Sequence, residues 1–206
     1  MGEARKTKLD MNQSVYTNRI ALTVALGGFL MGFDASVISG VNKFVQIQFN
    51  LSDLQLGFSV SSLTIVAALA MMFSGPLSDK YGRKLVLKYC ALIFTVSAIG
   101  SALATGFTSF LIFRMLGGLG VGASLIVAPM YIAEIAPASK RGRLVSFNQL
   151  NIVLGITIAF FTNYYILSLA DHTSSWVSNY GIAEHNWRWM LGIEALPAIV
   201  YFFALF

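Results

Sequence analysis

Long apolar stretches dominate this sequence and constrain its fold more than any other feature. Six of them are long enough to cross about 30 Å of hydrocarbon as α-helices. They cover residues 20–41, 56–77, 85–104, 107–136, 146–170 and 189–206. The first is longer than the apolar part of a cleaved signal peptide and lacks a small-residue cleavage site. We therefore predict an all-α membrane protein with six transmembrane helices, in which residues 1–18 form a polar tail and 19–206 form the helical bundle.

The composition excludes several other classes of protein. Hydrophobic residues make up 56% of the chain and charged residues only 11%, whereas about a quarter of the residues in globular domains are charged. The net charge of +5 does not indicate a nucleic-acid partner, because the basic residues lie in short gaps between apolar spans. The sequence shows no nucleophile paired with a base and no cluster of metal ligands. We therefore expect neither an enzyme nor a bound metal or cofactor. We expect His172 and His185 to be solvated loop residues, since no third ligand accompanies them.

The basic residues predict the orientation of the chain in the membrane. Most of the 14 Lys and Arg residues lie in the N-terminal tail, between the second and third spans, or between the fourth and fifth. Lys and Arg next to a span are retained on the cytoplasmic side. We therefore expect a cytoplasmic N-terminus and an external position for the polar segment 171–186.

Three ionisable residues lie inside predicted spans, namely Asp34, Arg114 and Glu194. Counting along the helices places each in the outer half of its span, so the three can meet in one layer. An ionised side chain at mid-membrane costs at least ~2.5 to 3.5 kcal/mol, and such residues usually face a partner or a watery cavity. Two carboxylates around one guanidinium can hold a proton that comes and goes. The three predict proton coupling, and a static ion pair is the alternative.

Small and polar residues predict two further features of the bundle. Gly28, Gly32, Ser36 and Gly40 recur every four residues, which lets another helix approach the first one closely. The fifth span carries amides and hydroxyls that suit a neutral polyol ligand or hydrogen bonds between helices; these are Asn148, Gln149, Asn151, Thr157, Thr162 and Asn163.

The polar stretch GPLSDKYGRK, residues 75–84, separates the second and third spans. Gly82 allows a tight turn, and Asp79 can cap the third helix or contact a cation. At the end of the fourth span, Glu134 is close in sequence to Arg141 and Arg143. We expect a charge contact between Glu134 and these arginines, or a solvated position at the helix end.

Four stretches together carry a resemblance to a known family. GPLSDKYGRK resembles the cytoplasmic turn signature of the major facilitator superfamily, Gly-x-Leu-x-Asp-x-x-Gly-Arg-Lys. FDASVISG (33–40), RMLGGLGVGASLIVAPMYIAEIAPASKRGRLVSFNQL (114–150) and WRWMLGIEALPA (187–198) resemble its sugar porter branch. Within that branch, the resemblance is to bacterial proton-coupled xylose-type transporters, and it covers residues 24–206.

The resemblance implies the N-terminal half of a twelve-helix bundle that holds a sugar between two six-helix halves and exposes it alternately to each side. The implied partners are a monosaccharide, protons, the lipid bilayer and a C-terminal half, and the implied location is the bacterial inner membrane. The resemblance assigns proton coupling to Asp34, Arg114 and Glu194, and sugar binding to Gln149. It also implies a cytoplasmic gating network, which comprises Gly75, Asp79, Gly82, Arg83, Glu134, Arg141 and Arg143.

The sequence is compatible with more than one sugar and more than one mode of transport. Met31 and Ile156 stand where the xylose-type pattern has an aromatic residue and a second glutamine, so the sugar is either a hexose or a pentose. The last span ends at Phe206 without a basic anchor, and we expect an incomplete sixth helix of a longer protein. The alternatives to a proton symporter are a facilitative sugar uniporter, a transport-deficient sugar sensor, and a six-helix unit that pairs with its own copy.

Overall fold

The chain is helical in nearly all the residues that the structure describes. The computed structural model describes residues 2–170 and 181–206, with side chains from Thr17 onward. Five helices are long and apolar enough to cross a membrane, and two shorter ones together form the sixth predicted span. In chain order they are α1 (Gly2–Gln48), α2 (Asp53–Tyr81), α3 (Arg83–Ala102), α4 (Phe107–Ile135), α5 (Arg141–Ala170), α6 (Asn186–Ile193) and α7 (Ala195–Ala204). The all-α membrane fold is confirmed, and α1 begins within the predicted polar tail.

The sixth span is broken at Glu194. The helix α6 ends at Ile193, and the Glu194 N–H donates to the carbonyl of Leu191 over 3.3 Å. Pro197 explains the break, because its ring carries no N–H and clashes with the carbonyl four residues earlier, that of Ile193. The span is therefore two helices rather than the single helix expected, and Glu194 occupies the junction.

Residues 75–84 are mostly helical rather than a ten-residue turn. The helix α2 continues to Tyr81 and α3 begins at Arg83, so Gly82 alone joins them, with a φ of +87°. Glycine suits this backbone conformation because it has no Cβ. Pro76 lies inside α2 without ending it. Asp79 does not cap α3, whose N-terminus has no side-chain cap.

Several helices pack against partners that are distant in the sequence. The helix α5 lies along α1, both α2 and α3 pack on α4, and α6 and α7 pack on α3. The predicted stripe of small residues on α1 faces α5: a Cβ on Gly28 would lie 2.6 Å from the carbonyl oxygen of Asn148. Because such a contact is far too short, Gly28 is what allows the two backbones to approach this closely.

Buried apolar side chains form two clusters, stacked along the bundle. One includes Leu30 of α1 and Val121 of α4, and the other includes Phe33 of α1 and Phe110 of α4. The first lies toward the end of the bundle where α2 meets α3, which we call the basic end. The boundary between the clusters therefore falls between residues 30 and 33 of α1, and between residues 110 and 121 of α4.

Replacing Gly28 by Ala should destabilise the bundle. The added methyl group clashes with backbone of α5, and overpacking of this kind typically costs about 1–3 kcal/mol. Gly57 is the matched control, since it also lies in a helix but has open space around its Cα. There the change to Ala should add about 1 kcal/mol of helix stability. Thermal unfolding in detergent checks both, and a Gly28→Ala variant as stable as Gly57→Ala would contradict the close α1–α5 contact.

Candidate functional site

A buried ion pair joins α1 to α4. Arg114 donates from Nη1 to Oδ1 of Asp34 and from Nη2 to Oδ2, the second over 3.4 Å. Both residues are only 3% exposed. A bidentate contact holds the two planar groups in a fixed mutual orientation, which compensates part of the large cost of removing both charges from water.

Glu194 is the third charged residue at this position. It is 2% exposed and interacts electrostatically with both Asp34 and Arg114. Its Oε1 atom and the Nε atom of Arg114 have no hydrogen-bond partner among the described residues. The structure thus brings together the three residues that helical counting placed in one layer, and we call them the charged triad.

The charge balance of the triad defines what it can do chemically. With all three groups ionised, two carboxylates face one guanidinium and leave a net negative charge in a site that excludes water, which is costly. One proton on either carboxylate cancels that charge and supplies a hydrogen-bond donor. The arrangement therefore offers one proton a place between two carboxylates and a fixed cation.

An aromatic cluster covers the triad on the side away from the basic end. Phe110 lies four residues before Arg114 in α4, and Trp187 lies seven residues before Glu194. The ring of Trp187 stands nearly perpendicular to that of Phe110, with centroids 6.4 Å apart, and also contacts Phe49 at 5.7 Å. Sequence analysis missed this cluster, although both residues are spaced to share a helix face with a triad residue. Phe110 and Trp187 are both fully buried, so the helices that carry the charges are packed with apolar rings on that side.

Gln149, the predicted sugar ligand, lies on the exposed surface of α5. It makes no hydrogen bond to other described residues, so its amide is available to a ligand. Ile156 lies two turns further along the helix and presents an apolar side chain there. The hydroxyls of Thr157 and Thr162 and the amide of Asn151 donate to carbonyls of α5 itself, four residues earlier. These three groups therefore do not join helices to one another.

A second polar network lies at the basic end. Arg83 donates from Nε to both carboxylate oxygens of Glu134 over 3.1 Å and from Nη2 to Oε1 over 3.0 Å. It also pairs with Asp79 over 2.5 Å and donates to the carbonyl of Ser78. One guanidinium thus joins the end of α2, the start of α3 and the end of α4.

The remaining residues of the predicted gating network differ in their placement. Glu134 contacts Arg83 rather than Arg141 or Arg143, which are exposed and make no ion pair within the described part of the chain. The expectation of a contact with these two arginines was therefore wrong. Gly82 forms the link between α2 and α3, and Gly75 has open space where a Cβ would point.

Metal ligands do not cluster in the described residues, where no group of three His, Cys, Asp or Glu side chains could hold an ion. His172 lies outside the described residues. His185 is exposed, directly before α6, with its Nδ1 atom 2.9 Å from the carbonyl oxygen of Glu184.

Comparison with known proteins shows similarity to a family of transporters. The family model described as "Sugar (and other) transporter" matches residues 20–206. A glucose transport protein of Synechocystis sp. is 43% identical over 88% of this chain, and a D-xylose transporter of Levilactobacillus brevis is 40% identical over 92%. The matched region is 38% of the length of each relative, so the chain spans about two-fifths of these proteins.

A solved structure resembles the fold closely. It is that of the major facilitator superfamily proton:xylose symporter XylE bound to 6-bromo-6-deoxy-D-glucose, with a TM-score of 0.82 and 35% sequence identity. The match covers 94% of this chain and 45% of the symporter, and it falls on the N-terminal half of the symporter.

Replacing Arg114 by Gln should strongly destabilise the chain, because it leaves two buried carboxylates without a cation. Breaking a buried ion pair in this way costs about 3–5 kcal/mol. The double variant Asp34→Asn/Arg114→Gln removes both members of the pair and should recover much of that loss. Thermal unfolding of the two variants measures the difference, and equal stability would contradict a buried pair.

Proposed function

Because the chain belongs to the sugar (and other) transporter family, we propose that it forms half of a secondary active transporter. The transporter moves a monosaccharide across the membrane by proton symport and alternating access. A second six-helix unit supplies the other wall of the sugar path. The match to about half of the proton:xylose symporter supports this arrangement.

The charged triad is the observation that supports proton symport most directly. A transporter driven by protons needs a group that binds a proton in one state and releases it in another. In the proposed cycle, a proton on Asp34 weakens its pairing with Arg114, and Glu194 is the second carboxylate that stabilises the arginine. The loosened contact between α1 and α4 lets the half rearrange when sugar binds.

The proposed substrate is a hexose or a pentose. Gln149 is the sugar-binding residue, since its exposed amide can donate to one sugar hydroxyl and accept from another. The two relatives named above are described as transporters of glucose and of D-xylose, which agrees with this class of substrate. Because the side chain of Ile156 cannot hydrogen-bond to a sugar hydroxyl, this half of the site can bind fewer hydroxyls.

The network around Arg83 is proposed to be a latch on the cytoplasmic side. It holds the ends of α2 and α4 together, and the carboxylates of Asp79 and Glu134 remain partly exposed, so they can also contact the second half. Opening toward the cytoplasm then requires these contacts to separate. In this proposal, Arg141 and Arg143 belong to the same gating network because they contact the second half of the transporter rather than Glu134.

The membrane location follows from the spans and the family. Five membrane-spanning helices and the match to sugar transporters indicate an integral, multi-pass membrane protein rather than an enzyme. We propose the bacterial inner membrane, with the N-terminus in the cytoplasm, because the basic residues gather at the end of the bundle where α2 meets α3.

Replacing Asp34 by Asn in the complete transporter should abolish uphill sugar accumulation while sparing exchange of sugar across the membrane. The amide cannot carry the proton, but it fills nearly the same space. Uptake of radiolabelled sugar into cells, with and without a protonophore, measures accumulation, and counterflow measures exchange.

Asp53→Asn is the matched control, since Asp53 is an exposed carboxylate at the start of α2. It should leave both activities unchanged. Accumulation that survives in the Asp34→Asn variant would contradict proton coupling through this residue. Uptake of the unaltered protein that ignores the protonophore would indicate a facilitative uniporter instead.

A further inference from the structure

An apolar groove separates α2 from α3 on the outside of the bundle. Both helices pack on α4 but barely touch each other, so the surface of α4 forms the floor of the groove, at Ala123 among others. Phe73 and Leu77 line one wall at a spacing of four residues, and Leu85 and Tyr89 line the other. The groove encloses about 880 Å³, which is within the range of specific ligand sites of about 300–1,000 Å³.

The groove opens at the basic end into a recess of about 450 Å³. Tyr81 and Leu85 line both spaces, so the groove and the recess are continuous. The recess is lined by three basic residues at the start of α3, namely Arg83, Lys84 and Lys88. One end of the apolar groove therefore lies next to three basic side chains.

Two of these cations are not neutralised. Arg83 is committed to Asp79 and Glu134, but neither lysine pairs with a side-chain carboxylate in the described part of the chain. Lys84 donates to the backbone carbonyl of Phe206 over 3.1 Å, and the Lys88 ammonium lies 3.4 Å from the centre of the Phe206 ring. An ammonium has three donors, so both lysines keep donors and a full charge for an anion.

The start of α3 adds further donors at the same place. Its N-terminus has no side-chain cap, so the first N–H groups of the helix lack a partner from a capping side chain. Such N–H groups favour an anion such as a phosphate. Tyr81 lines the recess and is exposed, as is Tyr89 in the groove, and exposed aromatic rings of this kind gather at the headgroup level of a membrane.

We propose that the α2–α3 groove binds an anionic phospholipid, with one acyl chain in the groove and the phosphate held by Lys84 and Lys88. The net negative charge of the headgroup matches two unpaired cations, whereas a zwitterionic headgroup brings its own cation. The binding is a property of the six-helix unit itself and does not depend on sugar transport. A lipid in the groove would keep α2 and α3 apart next to the residues that Arg83 contacts. The lipid composition of the bilayer would then affect how easily the proposed latch opens.

Native mass spectrometry of the delipidated chain in detergent tests the proposal. The protein is titrated with phosphatidylglycerol or phosphatidylcholine that carry the same acyl chains. Each lysine near an anionic lipid contributes about a fivefold preference. The unaltered chain should therefore bind phosphatidylglycerol at least about tenfold more tightly, and Lys84→Gln/Lys88→Gln should remove that preference.

Two control variants separate charge from shape. Arg19→Gln/Lys43→Gln removes the same charge from exposed positions of α1 and should keep the preference for phosphatidylglycerol. Ala70→Phe adds a ring to the groove lining while leaving both lysines, and should weaken binding of both lipids. If Lys84→Gln/Lys88→Gln does not yield folded protein, the two single variants should each show a partial loss.

Equal affinity of the unaltered chain for the two lipids would overturn the proposal. So would a preference that survives Lys84→Gln/Lys88→Gln or that the α1 control removes equally. Because the assay contains no sugar and no gradient, these outcomes leave the transport proposal untouched.

Discussion

The loss of water around charged groups inside a bilayer is the constraint on which this structure depends. Asp34 and Arg114 can lie buried inside the bundle only because they face each other, and Glu194 lies beside them. The three residues come from α1, α4 and the junction of α6 and α7, so satisfying their charges fixes how these segments lie relative to one another. They lie next to the boundary between the two apolar clusters, and Phe110 and Trp187 are buried on the side away from the basic end.

The features that follow from helical geometry could be predicted from the sequence. The spans are set by length and apolar content, and the register of each span fixes the depth of its charged residue, which is why the triad could be anticipated. The close approach of another helix to α1 was visible in the four-residue spacing of Gly28, Gly32, Ser36 and Gly40, but the spacing did not identify that helix as α5. The break at Glu194 also had a local signal, since Pro197 stands three residues later, but the apolar run continues through it and masks the interruption.

Contacts between segments that are distant in the sequence could not be predicted from span length or helical register. Arg83 and Glu134 are 51 residues apart, and no spacing or periodicity says that the end of α4 meets the start of α3; only the family resemblance put the two residues in one network. Arg141 and Arg143 are nearer to Glu134 along the chain, but both lie in the first turn of α5 and are exposed. The helical continuation of α2 to Gly82 was hidden for a related reason, because polar residues at a membrane surface are as compatible with a helix end as with a turn.

We propose that Asp34 and Glu194 share one exchangeable proton beside Arg114. Infrared difference spectroscopy of the purified protein measures this directly, since a buried protonated carboxyl gives a carbonyl-stretch band that ionised carboxylates lack. A shared proton predicts such a band at neutral pH and its loss in both Asp34→Asn and Glu194→Gln, because either change leaves one carboxylate to neutralise the arginine without a proton. A spectrum without this band, or a band that persists in both variants, would contradict a shared proton and leave a static ion pair.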